Sequence, residues 1–439
     1  MLPDSKIVTE YKVIQIPGGL TSATIEDVLY QVNDFIQNHK IYKGVRFIFD
    51  NTHQIDLFEG LILCISLYHI KKETLCVPNI SFYTPLKRLS TIDKTQLTLD
   101  NQPSYRSLRK DEIPGYSKQK DSIWNKFFHK MNVFHVLNQS PLNVKMISYK
   151  EGKQEFEYSP EFITKIYEPK KARKERLDFI KITSIRSLEE HQFLVNDKLF
   201  NIFNLGRRDS EWDKRSNLLD CIQEAMKNIP EHAYSSQVDL ADRIGYMAIN
   251  AGRLSSGPHK RLEPFYKKNE KQQFLEIVIV DTGKGNQEAL KSKMTSRRIV
   301  EIAQKIKFDL KTNDDEIASL IAAFEPGITS KEADAVTIET YNKYSESIGK
   351  DHKPNGYGLT NIREYVAHWK GLIEARSGKS RVTYDLTNGH QNIYIPCSTE
   401  SDLTGLPGTQ IRLLIPRKNF EERPAVKDIF ELTVPAFNS

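Results

Sequence analysis

The sequence predicts a multidomain α/β protein. An N-terminal mixed α/β unit is followed, past a middle region, by a C-terminal α/β region. Three observations predict it. Over residues 1–95, apolar runs of strand length alternate with stretches of helix length. Further on, the apolar run Phe274 to Val280 passes directly into Asp281-Thr282-Gly283-Lys284-Gly285, a strand that ends in a turn needing close backbone approach. The 439 residues are enough for two or three domains, each with its own core. The divisions read from the chain are 1–95, a middle region 96–200, a C-terminal domain 201–418 and a tail 419–439.

In order, Ile7 to Ile16 alternates as a strand and Pro17-Gly18-Gly19 ends it. Thr24 stands where a cap for a helix over Ile25 to His39 belongs, with Glu26 and Asp27 in the favourable first turn. Val45 to Asp50 reads as a buried strand, Leu57 to Lys71 as a helix and Asn79 to Thr84 as another strand. In the middle region, Arg106 to Lys120 is polar, carries Pro114-Gly115 and reads as a linker. Trp124, Phe127, Phe128, Met131, Phe134 and Val136 form the apolar face of a core helix. The basic run Lys170 to Arg176 reads as a solvated segment before the strand Phe179 to Ile182, with phosphate contact as the alternative.

The stretch Asn217 to Ser235 is an amphipathic helix, because Leu218, Leu219, Ile222, Ala225, Met226, Ile229 and Ala233 recur at steps of three and four. Glu224, Asn228 and His232 then share one face. A carboxylate one turn before a carboxamide suits a metal–nucleotide site: the amide oxygen can ligate a hard cation, and the carboxylate can orient a water toward a phosphate. A solvated helix face is the commoner use of such a row. The interval from Asn228 to the strand before Asp281, with Asn250 to Arg253 and a Gly257-Pro258 turn, reads as an insertion. A second insertion runs from Gly285 to Gly356 and contains a charged helix over Arg297 to Phe308. Asn355-Gly356-Tyr357-Gly358-Leu359 opens a helix, Thr383 to Leu406 holds a hairpin, and Gly408-Thr409-Gln410-Ile411 leads into a closing strand. Free N–H groups at a helix start favour anions such as phosphate.

Taken together, EAMKNIPEHA, DTGKG, FEPGITSK, GYGLTNIREYVAHWKGLIEARSG and GTQIRLLIP resemble, in order and spacing, the ATP-binding domain of the GHKL superfamily: gyrase, the heat-shock chaperone ATPase, histidine kinases and MutL. The likeness covers about residues 200–418, with EAMKN…EHAY most similar to anti-sigma-factor serine kinases and the later motifs to histidine kinases. It implies that residues 201–418 fold as an α/β sandwich, a mixed sheet covered by helices on one face, with ATP and Mg2+ as ligands. Glu224 would activate the attacking water, Asn228 would hold the magnesium ion, and Asp281 would bind the adenine amine with Gly283 and Gly285 shaping the pocket wall. Gly356, Gly358 and Leu359 would wrap the phosphates as the lid meets its helix. Thr409 would sit beside the adenine, and Ser330 and Lys331 would contact the nucleotide from the lid. The chain departs from the family at Ile229, where a small residue is usual, and at Pro230, which removes a backbone donor and predicts a bend. The segment FIFDNTHQIDLFEGLILCISLYHIKK resembles a STAS domain, a fold that partners anti-sigma-type ATPases. Leu57-Phe58-Glu59 stands where the STAS phosphoacceptor serine or threonine would be, so the resemblance implies a docking module.

A net charge of +6 does not by itself argue for nucleic acid, and a DNA-linked or phage-defence role rests on family analogy alone. The four cysteines, Cys64, Cys76, Cys221 and Cys397, form no CxxC pair and point to a reducing compartment. The N-terminus lacks a secretory layout, and the most apolar stretch, Leu57 to Tyr68, contains Glu59 and is too short to span a bilayer. A soluble cytoplasmic protein with no membrane contact is expected. No histidine sits in a dimerisation-helix pattern; His191 reads as an exposed helical residue and His232 as packed near the nucleotide helix. The expected function is an ATPase whose lid closure switches a protein assembly, with protein partners and a homodimer as the candidate assembly. The alternatives are an anti-sigma-type protein serine kinase and a non-hydrolysing ATP sensor.

Overall fold

The computed structural model describes residues 10–22, 24–49, 52, 54–83, 133, 137, 145–149, 155–158, 180–182, 222, 223, 225, 226, 228, 229, 233, 234, 238, 243–252, 274–292, 294–307, 310, 315–326, 328, 358–388, 391–395, 405–416 and 419. The chain divides into two compact units. One comprises Met1–Lys181, Leu254–Lys267 and Ser398–Pro407, the other Ile182–Arg253, Lys268–Cys397 and Gly408–Ser439. The architecture is α/β, with parallel and antiparallel pairing. Among the described residues, no helix is long and apolar enough to cross a membrane.

In the first unit, β1 (Tyr11–Gln15), β3 (Gly44–Ile48), β5 (Asn79–Tyr83), β6 (Lys145–Tyr149) and β7 (Glu155–Tyr158) form a sheet in that order. The first four are parallel and β7 turns back antiparallel to β6. The sheet that begins in residues 1–95 therefore continues into the middle region. A separate parallel ribbon pairs β2 (Gly19–Leu20) with β4 (Gln54–Ile55). The crossovers α1 (Ile25–Asn38) and α2 (Leu57–Thr74) pack on each other. α1 buries Ile25, Val28, Leu29, Val32 and Phe35 at helical spacing and leaves Tyr30 exposed. Thr24 does precede the helix, but its hydroxyl donates to Gly19 O at 2.7 Å, bracing the turn rather than capping α1. α2 is buried on every side from Leu57 through Tyr68, Glu59 included. That accounts for an apolar run with no helical period: a helix enclosed all round has no polar face to show.

A seven-stranded sheet lies mainly in the second unit, with Ile180, Lys181, Leu406 and Pro407 of it belonging to segments of the first. Its strands are β8 (Ile180–Ile182), β9 (Gly245–Gly252), β10 (Phe274–Asp281), β11 (Leu372–Gly378), β12 (Ser380–Asp385), β13 (Asn392–Tyr394) and β14 (Leu406–Pro416), in the order β13-β12-β11-β14-β10-β9-β8. β9 lies in the interval read from sequence as an insertion, yet it pairs antiparallel with β10 from Phe274↔Gly252 to Asp281↔Gly245. β14 pairs antiparallel with the other side of β10, and β12 with β11 and β13. The helices are α3 (Gly285–Lys291), α4 (Ser296–Ile306), α5 (Asp315–Ala322) and α6 (Gly358–His368). α3, α5 and α6 pack on β11, and α5 also on β12.

Strand alternation gives this sheet two different faces. The helix side carries Ile277, Ile279, Ile411, Leu413, Ile373, Ala375, Val382 and Tyr384, all buried. Tyr384 meets Phe324 with ring centroids 4.9 Å apart and donates to Ile321 O at 3.2 Å. The opposite side carries a buried charge ladder. Arg412 Nε lies 2.8 Å from Glu276 Oε1, Arg412 Nη1 2.9 Å from Glu374 Oε2, and Arg381 Nη2 3.2 Å from Glu374 Oε1. Burial pushes up the pKa of both carboxyls. For Glu374 two arginines outweigh that effect and hold it below the ordinary value, whereas Glu276, with Arg412 alone, stays raised.

Candidate functional site

Asp281 ends β10 on the helix side of the sheet, one step past the pair Val280↔Gln410 and therefore opposite Thr409. The Gly283 N–H donates to Asp281 Oδ1 at 2.8 Å, and the Thr409 backbone N–H donates to the same carboxyl. Despite two donors, burial dominates and raises the Asp281 pKa from 3.8 to about 7.

Three glycines make this approach possible. A Cβ on Gly283 would lie 2.1 Å from Ala233 O, so the loop is pressed against the end of the helix that bears Asn228. Lys284 N–H closes that contact onto Ala233 O at 2.9 Å. Gly285 has φ +76°, with Ser377 Oγ 2.7 Å from where its Cβ would be. Gly408, at φ +81°, lets β14 come so close to β10 that a Cβ would fall 2.0 Å from Asp281 O.

Side chains tie the loop down further. Tyr234 Oη donates to Ile244 O at 2.5 Å and accepts from Ile244 N at 2.9 Å and Thr282 N at 3.2 Å. It also meets Thr282 Oγ1 at 3.0 Å. One phenol thus joins the end of the Asn228 helix, the start of β9 and the Asp281 loop; burial raises its pKa, so it stays a neutral donor. On the other side, Ser377 Oγ accepts from Asn286 N at 2.9 Å and donates to Gly408 O at 3.1 Å. Thr409 Oγ1 donates to Asn286 Oδ1 at 3.4 Å.

The positions Ile222, Gln223, Ala225, Met226 and Asn228 are helical, and Ile222, Ala225, Met226, Ile229 and Ala233 form the buried face that the spacing predicts. Ile229 and Ala233 are π-helical, whereas Pro230, where a bend is expected, lies outside the described residues. Asn228 is half-buried, and its Nδ2 meets no acceptor among the described residues. Gly358 and Leu359 open α6, which is tied to the Phe324-Glu325 segment. Thr360 Oγ1 donates to Phe324 O at 3.1 Å, and Arg363 pairs with Glu325.

Of the residues singled out from sequence, Asp281, Gly283, Gly285 and Thr409 meet at one place, against the end of the helix that carries Asn228. Gly358 and Leu359 stand at the start of α6, whose Thr360 is tied to Phe324 just past α5. Glu224, Gly356, Ser330, Lys331 and His232 lie outside the described residues, as do Cys221, Cys397, His191 and the basic run at 170–176. Sequence reasoning missed Tyr234, Asn286, Ser377 and the structural need for Gly408. Asn286 was detectable as a polar residue directly after Gly285, but Ser377, 91 positions away, carries no local signal. No family model, no curated protein and no solved structure matches this chain.

Proposed function

We propose that the second unit binds an adenosine phosphate with Mg2+ and hydrolyses it slowly, acting as a GHKL-type conformational switch in a protein assembly. The observation that carries the reading is the meeting of Asp281, Gly283 and Thr409 against Ala233, which gathers three motifs distant in sequence around one buried carboxylate. Such a carboxylate, with one oxygen engaged by Gly283, has acceptor capacity left for an exocyclic amine.

Asn228 is the residue offered to a magnesium ion; among the described residues no group of three or more His, Cys, Asp or Glu could hold one. Asn228 sits half-buried on the adjoining helix, and its amide oxygen is the atom that would meet the cation. A single amide oxygen suits a hard cation that keeps most of its waters and leans on phosphate oxygens. Bound there by Asn228, the ion would neutralise phosphate charge. The chain's own residues do the rest. Asp281 orients the base, the Gly283–Gly285 turn lets the backbone approach it, and Glu224 holds the attacking water as general base. Tyr234 makes the Asp281 loop and the Asn228 helix move as one body.

The first unit fits a STAS-like docking module, supported by its parallel strands, its two packed crossover helices and a helix start at Leu57-Phe58-Glu59 that is buried rather than offered for phosphorylation. Turnover is expected to be slow, with binding and release carrying the signal. Calorimetric titration with Mg-ATP together with phosphate release tests this. Wild type should bind and release phosphate, Glu224→Ala should bind without release, and Asp281→Ala should not bind. Absence of ATP binding overturns the reading. The widened turn at Ile229, directly after Asn228, favours a second reading, a non-hydrolysing ATP sensor. Tight binding with no phosphate release from wild type selects it, whereas label passing from ATP to a protein in extract selects the anti-sigma-type kinase.

A further inference from the structure

We propose that Asn286 is a specificity residue for the base, donating its carboxamide N–H to the ring nitrogen beside the amine that Asp281 accepts from; this rests on the adenosine-phosphate reading above. Thr409 holds both side chains at once. Its backbone N–H donates to the Asp281 carboxyl, and its Oγ1 donates to Asn286 Oδ1 at 3.4 Å. The Asn286 backbone is fixed independently through Ser377 Oγ at 2.9 Å, itself anchored on Gly408 O at 3.1 Å. The carboxamide is therefore placed by β11 and β14 together, with its oxygen occupied and its nitrogen left over. That Nδ2 is buried and meets no acceptor among the described residues. A buried donor without an acceptor is costly, and native structures rarely keep one without a use.

Acceptor at Asp281 beside donor at Asn286 is a chemical pattern with a definite complement. Adenine offers a donating exocyclic amine next to an accepting ring nitrogen, N1. Guanine offers the reverse, an accepting O6 next to a donating N1–H, and would face Asp281 acceptor to acceptor and Asn286 donor to donor. The pair therefore selects adenine from both sides. Asp281 reads the amine and Asn286 reads N1.

The test alters the ligand first. Full-length wild type is titrated by calorimetry with ATP, with GTP, and with 1-deaza-ATP, in which N1 is replaced by C–H. The proposal predicts affinity for 1-deaza-ATP about tenfold below that for ATP, as expected for one lost hydrogen bond, and weaker affinity still for GTP. In Asn286→Ala the gap between ATP and 1-deaza-ATP should vanish; Asn286→Asp, of nearly the same shape, replaces the Ala variant if that one unfolds and should also lose the gap. Equal wild-type affinity for ATP and 1-deaza-ATP, or a gap that survives in the variant, overturns the role of Asn286 while leaving ATP binding intact. A wild type that binds no ATP overturns the underlying reading instead.

Discussion

Replacing Asp281 by Asn separates what the carboxylate costs the fold from what it gives the ligand. Burial lifts its pKa from 3.8 to about 7 even though Gly283 and Thr409 donate to it. Between those values the folded chain keeps a proton that the unfolded chain has already released. Stability therefore falls as pH rises from about 4 to about 7, and the whole deficit is present above 7. A shift of that size corresponds to about 4 kcal/mol. Asn is neutral, matches Asp in shape and still offers an oxygen to the Gly283 N–H. At pH 8.5 and without nucleotide, Asp281→Asn should be more stable than wild type by about 1–4 kcal/mol, and the advantage should shrink toward zero near pH 4. Urea unfolding read from tryptophan fluorescence suits this, because Trp369 is buried in the same unit. The same variant should lose ATP affinity at least tenfold, the trade expected where a binding group is held at the expense of stability. A variant less stable than wild type at pH 8.5, or one with the wild-type pH slope, would refute the claim that burial of this carboxylate burdens the fold.

Three further outcomes follow from the same geometry. Gly408→Ala should cost about 3 kcal/mol or more and remove nucleotide binding, because its Cβ would collide with Asp281 O at a left-handed φ; urea midpoints check it. Tyr234→Phe should lose about 1–3 kcal/mol, since the hydroxyl bonds Ile244 and Thr282 and leaves buried partners behind; hydrogen exchange should show the Ile244 amide losing protection. Arg412→Met should destabilise by about 3–5 kcal/mol by stripping Glu276 of its cation and Glu374 of one of two. In thermal melts that loss should narrow in acid, where the buried carboxylates take up protons.

Much of the second unit was legible because its chemistry sits at strand ends. Phe274 to Val280 could only be a buried strand, and DTGKG could only be a turn needing close approach. The face Ile222, Ala225, Met226, Ile229 and Ala233 was equally plain. What escaped was non-local. β9, read as GYMAINAG, has glycine at both ends and two alanines, and it becomes a strand because β10 pairs along its whole length and β8 flanks its other side. Glu276 inside an apolar run looks like a blemish until Arg412 is placed beside it from the far end of the chain. β6 and β7 join the first sheet from beyond residue 95, a pairing no local pattern encodes. The Asn286–Ser377–Thr409 cluster comes from three elements whose spacing carries no motif.

β14, the last described strand in the chain, is inserted between β11 and β10 rather than added at an edge. During synthesis Asn286 leaves the ribosome 123 residues ahead of Thr409, roughly 6–25 s at ordinary translation rates. Until β14 arrives, β10 keeps one flank without a partner strand, and Asp281 remains solvated and free of its burial penalty. If the domain binds nucleotide as proposed, the ligand has no finished site to template as the chain emerges, and a ribosome stalled before codon 405 holds a chain with an open apolar strand edge, the kind of surface that chaperones recognise.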